Sequence, residues 1–306
     1  MHDLRATMYD VEDRFNRKAS YPWVILSEQS LTPTFKSWVR AATDAPVYFG
    51  RIPDEQWYEP EWIDERRQEE GMLYQMTHGV YHGDSFAWRR ATRYNVGYLA
   101  DHPLLQDAEF YWKVQPRARY LCDLDGDPFQ YMKSNSKKMA FAISMHENVD
   151  AIPTLWSTVQ SYIRTHNSSV LPTSRTMFPG LVYNQNPNKG EYSGEYNTCH
   201  FWNNFMIMSL DFMRSKEYRS FFAYLDRTGG FFYERWGDAP VQTIAASLFL
   251  NRKEIYFMEN LGYFFSVATA CPTQLSVVDK LQCICDPDKS FVNHEASCTK
   301  HLLSWL

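Results

Sequence analysis

The spacing of apolar residues near the start of the chain predicts two helices and two strands. Apolar side chains recur every three or four residues from Leu4 to Phe15, which is the spacing of one face of an α-helix. The apolar stretch 21–26 is typical of a buried strand, and Val47-Tyr48-Phe49 predicts a second strand. Thr32-Pro33 indicates a helix start, because threonine caps helix N-termini and proline is favoured at the first helical position.

Strand and helix patterns alternate along the rest of the chain. Further strands are predicted at residues 110–114, 139–143 and 254–257. Further helices are predicted at residues 63–70, 154–165, 210–226 and 240–249. This alternation predicts an α/β fold with a mixed, mostly parallel central sheet flanked by helices. We find no internal repeat and expect a single catalytic domain over residues 1–306.

One long segment interrupts the alternation. Residues 167–194 are rich in proline, asparagine, serine and glycine, which favour turns. A stretch of this length without a helix or strand pattern predicts a long loop, either a mobile lid or an internal linker.

Composition and charge argue against some classes of binding partner and agree with others. Net charge is −5 and there is no sustained basic tract, which argues against a nucleic-acid partner. No apolar run has the roughly 18 residues of a membrane-spanning helix. Aromatic residues make up 16% of the chain, which indicates either a bulky core or a carbohydrate cleft.

The cysteines indicate disulfides rather than a metal site. Four of the six lie in the last 36 residues, within a Cys-rich tail at 271–306. Cys283-Ile284-Cys285 has one residue between the cysteines, where zinc sites usually have two. Disulfides would place the protein in an oxidising lumen, and Asn167-Ser168-Ser169 is a glycosylation acceptor that agrees with this compartment.

Two segments combine charged and aromatic residues in a way that folding alone does not require. One is Gly-Gly-Phe-Phe-Tyr-Glu-Arg-Trp-Gly-Asp-Ala-Pro-Val at 229–241, and the other is Tyr-Asn-Thr-Cys-His-Phe-Trp-Asn-Asn-Phe at 196–205. Charges are costly to bury without partners, so this mixture suits an exposed cleft of the size of a sugar.

These two segments resemble the signature of the fungal α-1,2-mannosyltransferases of glycosyltransferase family 15. The resemblance covers nearly the whole chain, from Glu-Asp-Arg-Phe-Asn-Arg-Lys at 12–18 to Ser297-Cys298-Thr299. It implies a GT-A-type domain that transfers mannose from GDP-mannose to a mannose 2-hydroxyl with retention of configuration, usually with Mn²⁺. It also implies a Golgi protein of the secretory pathway that acts on O-linked and N-linked glycans. The family's membrane anchor, stem and first strand have no counterpart here, so we expect a shortened, divergent member.

The resemblance assigns five residues to the donor. Arg89 and Arg93 match family arginines and are candidates for phosphate contacts, because a guanidinium binds phosphate with two hydrogen bonds. The alternative is a surface salt bridge on a helix. Lys113 keeps a family positive charge, and Arg235 is a further candidate. Gln115 replaces a family glutamate close to the metal, and its neutral amide is a poor ligand for a hard cation.

At two more positions, the reactive or metal-binding side chain of the family is replaced by one that cannot play that role. Met206 stands where the family has its proposed glutamate nucleophile, and a thioether cannot act as a carboxylate nucleophile. Phe265 stands where the family has a metal-binding histidine, so no metal ligand is assigned. Asp238 is retained as a candidate base for the acceptor hydroxyl, or as a group that holds a sugar hydroxyl.

The remaining matches are assigned to the acceptor sugar. They are Tyr196, His200, Trp202, Glu234 and Trp236. At two of these positions a structural role is the alternative. Glu234 would then form a buried pair with Arg235, and His200 would be a core or loop histidine that binds no ligand. 

The sequence leaves three alternative functions. The first is an α-1,2-mannosyltransferase with GDP-mannose and mannosylated glycans as partners. The second is a catalytically degenerate relative that binds glycans or regulates active paralogues, which the substitutions at Gln115, Met206 and Phe265 favour. The third is a retaining transferase for another nucleotide sugar, in which Gln115 and Phe265 reshape the donor pocket.

Overall fold

In the computed structural model, which describes residues 2–306, helices and strands alternate as predicted. The strands are β1 Trp23–Ser27, β2 Val47–Arg51, β3 Phe110–Val114, β4 Arg119–Tyr120, β5 Met139–Phe141, β6 Ser144–His146, β7 Val182–Tyr183, β8 Glu195–Tyr196, β9 Cys199–Phe201, β10 Phe205–Ser209, β11 Ile255–Phe257, β12 Tyr263–Phe265 and β13 Ala268–Ala270. The helices are α1 His2–Val11, α2 Arg17–Ala19, α3 Pro33–Arg40, α4 Asp54–Trp57, α5 Glu65–Thr77, α6 Phe86–Gly97, α7 Pro128–Ser134, α8 Leu155–Thr165, α9 Leu210–Arg214, α10 Lys216–Thr228, α11 Gly230–Tyr233, α12 Asp238–Phe249, α13 Leu275–Lys280 and α14 Thr299–Leu303.

The first predicted helix is confirmed and is tied to β1 through a buried carboxylate. Helix α1 continues through a π-helical turn at Glu12–Asn16 into α2. The Glu12 carboxylate accepts hydrogen bonds from Asn16 Nδ2 at 2.8 Å, Trp23 Nε1 at 2.7 Å and Thr43 Oγ1 at 2.8 Å. Three donors offset the cost of burying the charge, so Glu12 holds the helix against the strand.

The central sheet is mixed and mostly parallel in strand direction, as expected. Its strand order is β11-β5-β10-β3. Strand β11 is parallel to β5, whereas β10 is antiparallel to both β5 and β3. Strands β3, β5 and β11 therefore run in one direction, and β10 is the reversed strand of this sheet.

A groove separates this sheet from a second, two-stranded parallel sheet. Strand β1 pairs with β2 and strand β3 pairs with β10. The opposite edges of β1 and β3 line a groove of about 710 Å³, which Lys113 and Asn95 reach. Within residues 2–306, no other strand pairs with these two edges.

One predicted helix is divided in two, and another is buried along nearly its whole length. The predicted helix 210–226 is divided into α9 and α10 because the Ser215 hydroxyl accepts a hydrogen bond from the Tyr218 amide and starts a new helix. Helix α12 is buried along eleven consecutive residues from Asp238 to Leu248. A helix buried on all sides belongs in a protein core, and α12 packs between β9 and α6.

Three disulfides fix the C-terminal tail and confirm the expectation from the cysteines. They join Cys122 to Cys283, Cys199 to Cys298 and Cys271 to Cys285. The segment 167–194 consists of short 3₁₀ turns and β7, as a loop should. It is nevertheless anchored, because Met177, Phe178 and Leu181 are fully buried. A role as a lid stays a prediction. In the described part of the chain, none of the helices is long and apolar enough to cross a membrane.

Candidate functional site

The site is built around an ion pair between the edge strand β3 and the first residue of α12. Lys113 Nζ lies 2.6 Å from Asp238 Oδ2, and Asn95 Nδ2 of α6 donates to the same oxygen at 2.9 Å. Burial alone would raise the pKa of Asp238. The charge of Lys113 and hydrogen bonds from Lys113, Asn203 and Asn95 outweigh burial and lower this pKa. Asp238 is therefore ionised at neutral pH and held in one orientation.

Met206 is the direct cross-strand neighbour of Lys113. The register of β10 against β3 pairs these two residues, so their side chains lie on the same face of the sheet. Met206 is fully buried and belongs to the main hydrophobic core. The position that the resemblance assigns to a nucleophile is thus apolar and closed to solvent.

Gln115 and Phe265 lie at the ends of two strands that approach each other. Phe264 pairs with Arg119, which places Phe265 beside the turn that precedes β4. In this turn the Ala118 amide donates a hydrogen bond to the Gln115 carbonyl at 3.0 Å. The Phe265 ring packs edge-on against Trp202 with 5.5 Å between centroids.

The residues present do not fit a Mn²⁺ ion at these two positions. Manganese prefers carboxylate, carbonyl and water oxygens, whereas Phe265 offers no lone pair and Gln115 only a neutral amide. Elsewhere in residues 2–306, the groups of three close potential ligands consist of disulfide cysteines, once with His146. No catalytic step is therefore assigned to a metal.

A second ion pair lies beside the first. Arg235 Nη2 is 2.8 Å from Glu147 Oε1, and both side chains are mostly buried. The guanidinium carbon of Arg235 lies 4.5 Å from the centre of the Trp88 ring, a cation–π contact. Sequence reasoning missed Glu147 and Trp88. The position of Trp88 directly before the family arginine Arg89 was the available signal.

The alternative of a Glu234–Arg235 ion pair is wrong. Glu234 is in an extended conformation, in which neighbouring side chains point to opposite sides, so its carboxylate faces away from Arg235. The carboxylate accepts from the Thr154 hydroxyl at 2.6 Å, the Thr154 amide at 3.1 Å and Trp236 Nε1 at 2.6 Å. Glu234 thus fixes the start of α8 and orients the fully buried Trp236.

The other acceptor candidates differ in exposure. The Tyr196 hydroxyl donates to the Cys199 carbonyl at 3.0 Å, and its ring stacks on Trp156. His200 is buried, and burial lowers its pKa, so its ring is neutral at pH 7. Trp202 is the one of these candidates that keeps a partly exposed ring. Acceptor binding by Tyr196, His200, Trp202, Glu234 and Trp236 stays a prediction.

The two donor arginines of α6 lie inside the protein. Arg93 forms two hydrogen bonds with Asp226, at 2.7 and 2.9 Å. Arg89 donates to the carbonyls of Glu234, His82 and Ser85. Burial, with the nearby charge of Arg235, lowers the pKa of Arg89 to about 10. Arg89 therefore stays charged at pH 7. A phosphate contact by either arginine stays a prediction that requires these internal bonds to change.

The sequence matches known proteins over nearly its whole length. Residues 1–305 match the family described as Glycolipid 2-alpha-mannosyltransferase. The chain is 40% identical to "Alpha-1,2 mannosyltransferase KTR1" of Saccharomyces cerevisiae, over 98% of this chain and 74% of that protein. It is 42% identical to "Glycolipid 2-alpha-mannosyltransferase 2" of Candida albicans, over 98% of this chain and 63% of that protein.

Solved structures agree with the sequence matches. The fold is similar to core-mannan synthase A (CmsA/Ktr4) from Aspergillus fumigatus in its Mn/GDP form. The TM-score is 0.90 at 31% identity, over 99% of this chain and 81% of that one. The mannosyltransferase Ktr4p of S. cerevisiae in complex with GDP gives a TM-score of 0.91 at 30% identity, over 99% of this chain and 78% of that one.

Proposed function

The chain belongs to the glycolipid 2-alpha-mannosyltransferase family, and from this membership we propose that it transfers mannose from GDP-mannose to a mannose 2-hydroxyl. The product bond keeps the α configuration, and the acceptors are O-linked or N-linked glycans. Support comes from the similar mannosyltransferases of yeast and Candida, and from the fold shared with a core-mannan synthase and a mannosyltransferase that were both solved with GDP.

The observation that carries this proposal is the cluster of Lys113, Asp238 and Asn95 at the groove. Lys113 and Asn95 line the groove, and both bind the Asp238 carboxylate. Departure of GDP develops negative charge on the diphosphate, and a fixed cation stabilises that charge without reorganisation. Lys113 supplies such a cation, and Asp238 holds it in place.

The substitution at Met206 favours a same-face reaction over a double displacement. A double displacement needs a carboxylate that bonds covalently to the sugar, and Met206 cannot form that bond. In the same-face route, the bond between the mannose C1 and the phosphate oxygen breaks as the acceptor oxygen bonds to C1. The acceptor proton passes to the departing phosphate. Asp238, with its lowered pKa, is suited to orient the hydroxyl rather than to take its proton.

A second candidate function is glycan binding without turnover, with regulation of active paralogues. The loss of family chemistry at Gln115, Met206 and Phe265 favours it, because all three changes remove charge or coordination from the same reaction. A transferase for another nucleotide sugar is a weaker third candidate. For each function we propose a place in the lumen of the secretory pathway, such as the Golgi. The three disulfides support an oxidising compartment.

The test is transfer of labelled mannose from GDP-mannose to methyl α-mannoside, with and without Mn²⁺. We expect slow transfer that does not depend on added Mn²⁺ and is lost in Lys113→Met. Lys133→Met is the matched control, since Lys133 also lines the groove but pairs with the exposed Glu109. Absence of transfer, together with acceptor binding by calorimetry, would contradict the transferase and support the glycan-binding alternative.

A further inference from the structure

A row of aromatic rings extends from the Arg235–Glu147 pair to the surface. The Trp88 ring, which Arg235 covers, stacks on His82 with 6.1 Å between centroids and 22° between planes. His82 in turn lies 3.9 Å from the Tyr81 ring. Tyr81 is 79% exposed, whereas Trp88 and His82 are partly buried. We call Tyr81, His82 and Trp88 the aromatic shelf.

We propose that the aromatic shelf binds a mannose unit of the acceptor glycan beyond the unit that receives the new sugar. The inference rests on the proposed function and deepens it, since it makes an oligomannoside a better acceptor than a single mannose. Sugar rings present C–H groups on their faces, and an exposed aromatic face such as that of Tyr81 contacts these groups over a large apolar area.

The shelf begins next to the Lys113–Asp238 pair. A Cβ placed on Gly237 would lie 3.3 Å from the Trp88 ring and 3.6 Å from Glu147 Oε2. Gly237 directly precedes Asp238 in the chain and is the N-cap of α12. Trp88 and Glu147 thus border the residue that leads into Asp238, and in this proposal the next unit of an acceptor held at Asp238 extends along the shelf.

Polar groups at the inner end of the shelf can receive sugar hydroxyls. Among the described residues, the bonds to the Glu147 carboxylate from Arg235 and from the Asn148 amide both go to Oε1, which leaves Oε2 as an acceptor. Burial, with the charge of Arg235, lowers the pKa of His82, so its imidazole is neutral at pH 7 and can both donate and accept. An apolar surface with a few such polar groups is the usual composition of a small-ligand site.

The backbone of the shelf is held in an unusual conformation. His82 has φ of 61°, in the left-handed region that residues other than glycine rarely adopt. Its carbonyl accepts hydrogen bonds from the Ser85 amide at 3.1 Å and from Arg89 Nη1 at 3.4 Å. These bonds keep the strained turn in place, and strained backbone is concentrated at binding sites. A pre-formed shelf loses little entropy when a sugar binds.

The experiment compares the binding of α-1,2-mannobiose and methyl α-mannoside by saturation-transfer NMR, which does not require turnover. We expect mannobiose to bind more tightly, and Tyr81→Ala to weaken mannobiose by about 2- to 10-fold while leaving methyl α-mannoside unchanged. Tyr81→Phe retains the ring and should retain the affinity. Tyr9→Ala removes another exposed tyrosine, on α1, and serves as the control.

The outcomes separate this inference from the proposed function. Mannobiose binding that depends on the Tyr81 ring supports the shelf even where no mannose transfer is detected. Equal affinity of Tyr81→Ala and the unmodified protein for mannobiose would overturn the inference, also where transfer is observed. Absence of saturation transfer to mannobiose in the unmodified protein would overturn it as well.

Discussion

Lys113 and Asp238 form a single unit, with Nζ and Oδ2 2.6 Å apart. The pair joins the edge strand of the central sheet to the first turn of a buried helix, and it lies beside Met206. The sequence assigned Lys113 to the donor and Asp238 to catalysis as separate residues. In the folded protein each fixes the charge and position of the other, so a substitution of one residue also changes the environment of the other.

We expect Lys113→Met to reduce the free energy of unfolding by about 3 kcal/mol, because it leaves Asp238 buried without its cation. Lys133→Met is a close control, since its bond to Glu109 has the same length of 2.6 Å but both side chains are more than half exposed. That control should cost less than about 1 kcal/mol. Urea denaturation measures both, and equal losses would show that the Lys113 pair contributes no more than a surface pair.

Restoring the family chemistry should raise turnover. The variant Gln115→Glu with Met206→Glu and Phe265→His returns two carboxylates and an imidazole, which suit Mn²⁺ and oxocarbenium charge. We expect faster transfer from GDP-mannose that now depends on Mn²⁺. The control is Met206→Gln with the other two changes, which has a similar shape at position 206 without the charge. A triple variant that binds Mn²⁺ but stays as slow as the starting protein would contradict this role of the three positions.

The long-range disulfide should stabilise the fold more than the local one. Cys199–Cys298 joins residues 99 apart, whereas Cys271–Cys285 joins residues 14 apart. In the chain-entropy account, loops of these lengths differ by about 1.7 kcal/mol in stabilisation. Paired Cys→Ala substitutions should therefore lower the denaturation midpoint more for the first pair, as measured by thermal unfolding under oxidising conditions. A larger effect of the second pair would indicate that local packing dominates.

Stability should fall as the pH drops below about 6.5, the ordinary pKa of histidine. Burial lowers the pKa of His200 in the folded state, helped by Arg235 and His146 and opposed by Glu147. Below pH 6.5 the unfolded chain binds a proton that folded His200 does not, so folding loses free energy. We expect His200→Gln to flatten the loss of Tm between about pH 7 and pH 5. His294→Gln, which replaces an exposed histidine, is the matched control, and a change of slope as large as that of His200→Gln would contradict the assignment to burial.

Asn167 should carry an N-linked glycan when the full chain is secreted from a eukaryotic host. It is exposed in the 3₁₀ turn Asn167–Ser169 that follows α8. We expect a loss of mass on treatment with an N-glycosidase, absent in Asn167→Gln and Ser169→Ala. Ser168→Ala keeps the acceptor motif and should keep the glycan. A secreted protein with the bare polypeptide mass would argue against passage of this segment through the glycosylating compartment.

Sequence patterns correctly predicted the features that depend on residues close together in the chain. The Thr32 cap is confirmed, because its hydroxyl accepts from the Phe35 amide at 3.1 Å. Strand β3 has the predicted bounds, and the cysteines form disulfides as their spacing indicated. The family signature was also a property of the sequence, because the order of its motifs does not depend on how they pack.

Long-range contacts decided the rest. The direction of β10 depends on how the chain returns to the sheet, which apolar spacing does not encode. Glu234 was grouped with its neighbour Arg235, yet it bonds to Thr154, 80 residues away. Likewise, Glu147 has no motif around it and acquires a role only when β6 brings it to Arg235. The sequence by itself determined the family, the elements and the substituted residues. The tertiary structure decided which charges meet, because an ion pair depends on distances of a few ångströms between residues far apart in the chain.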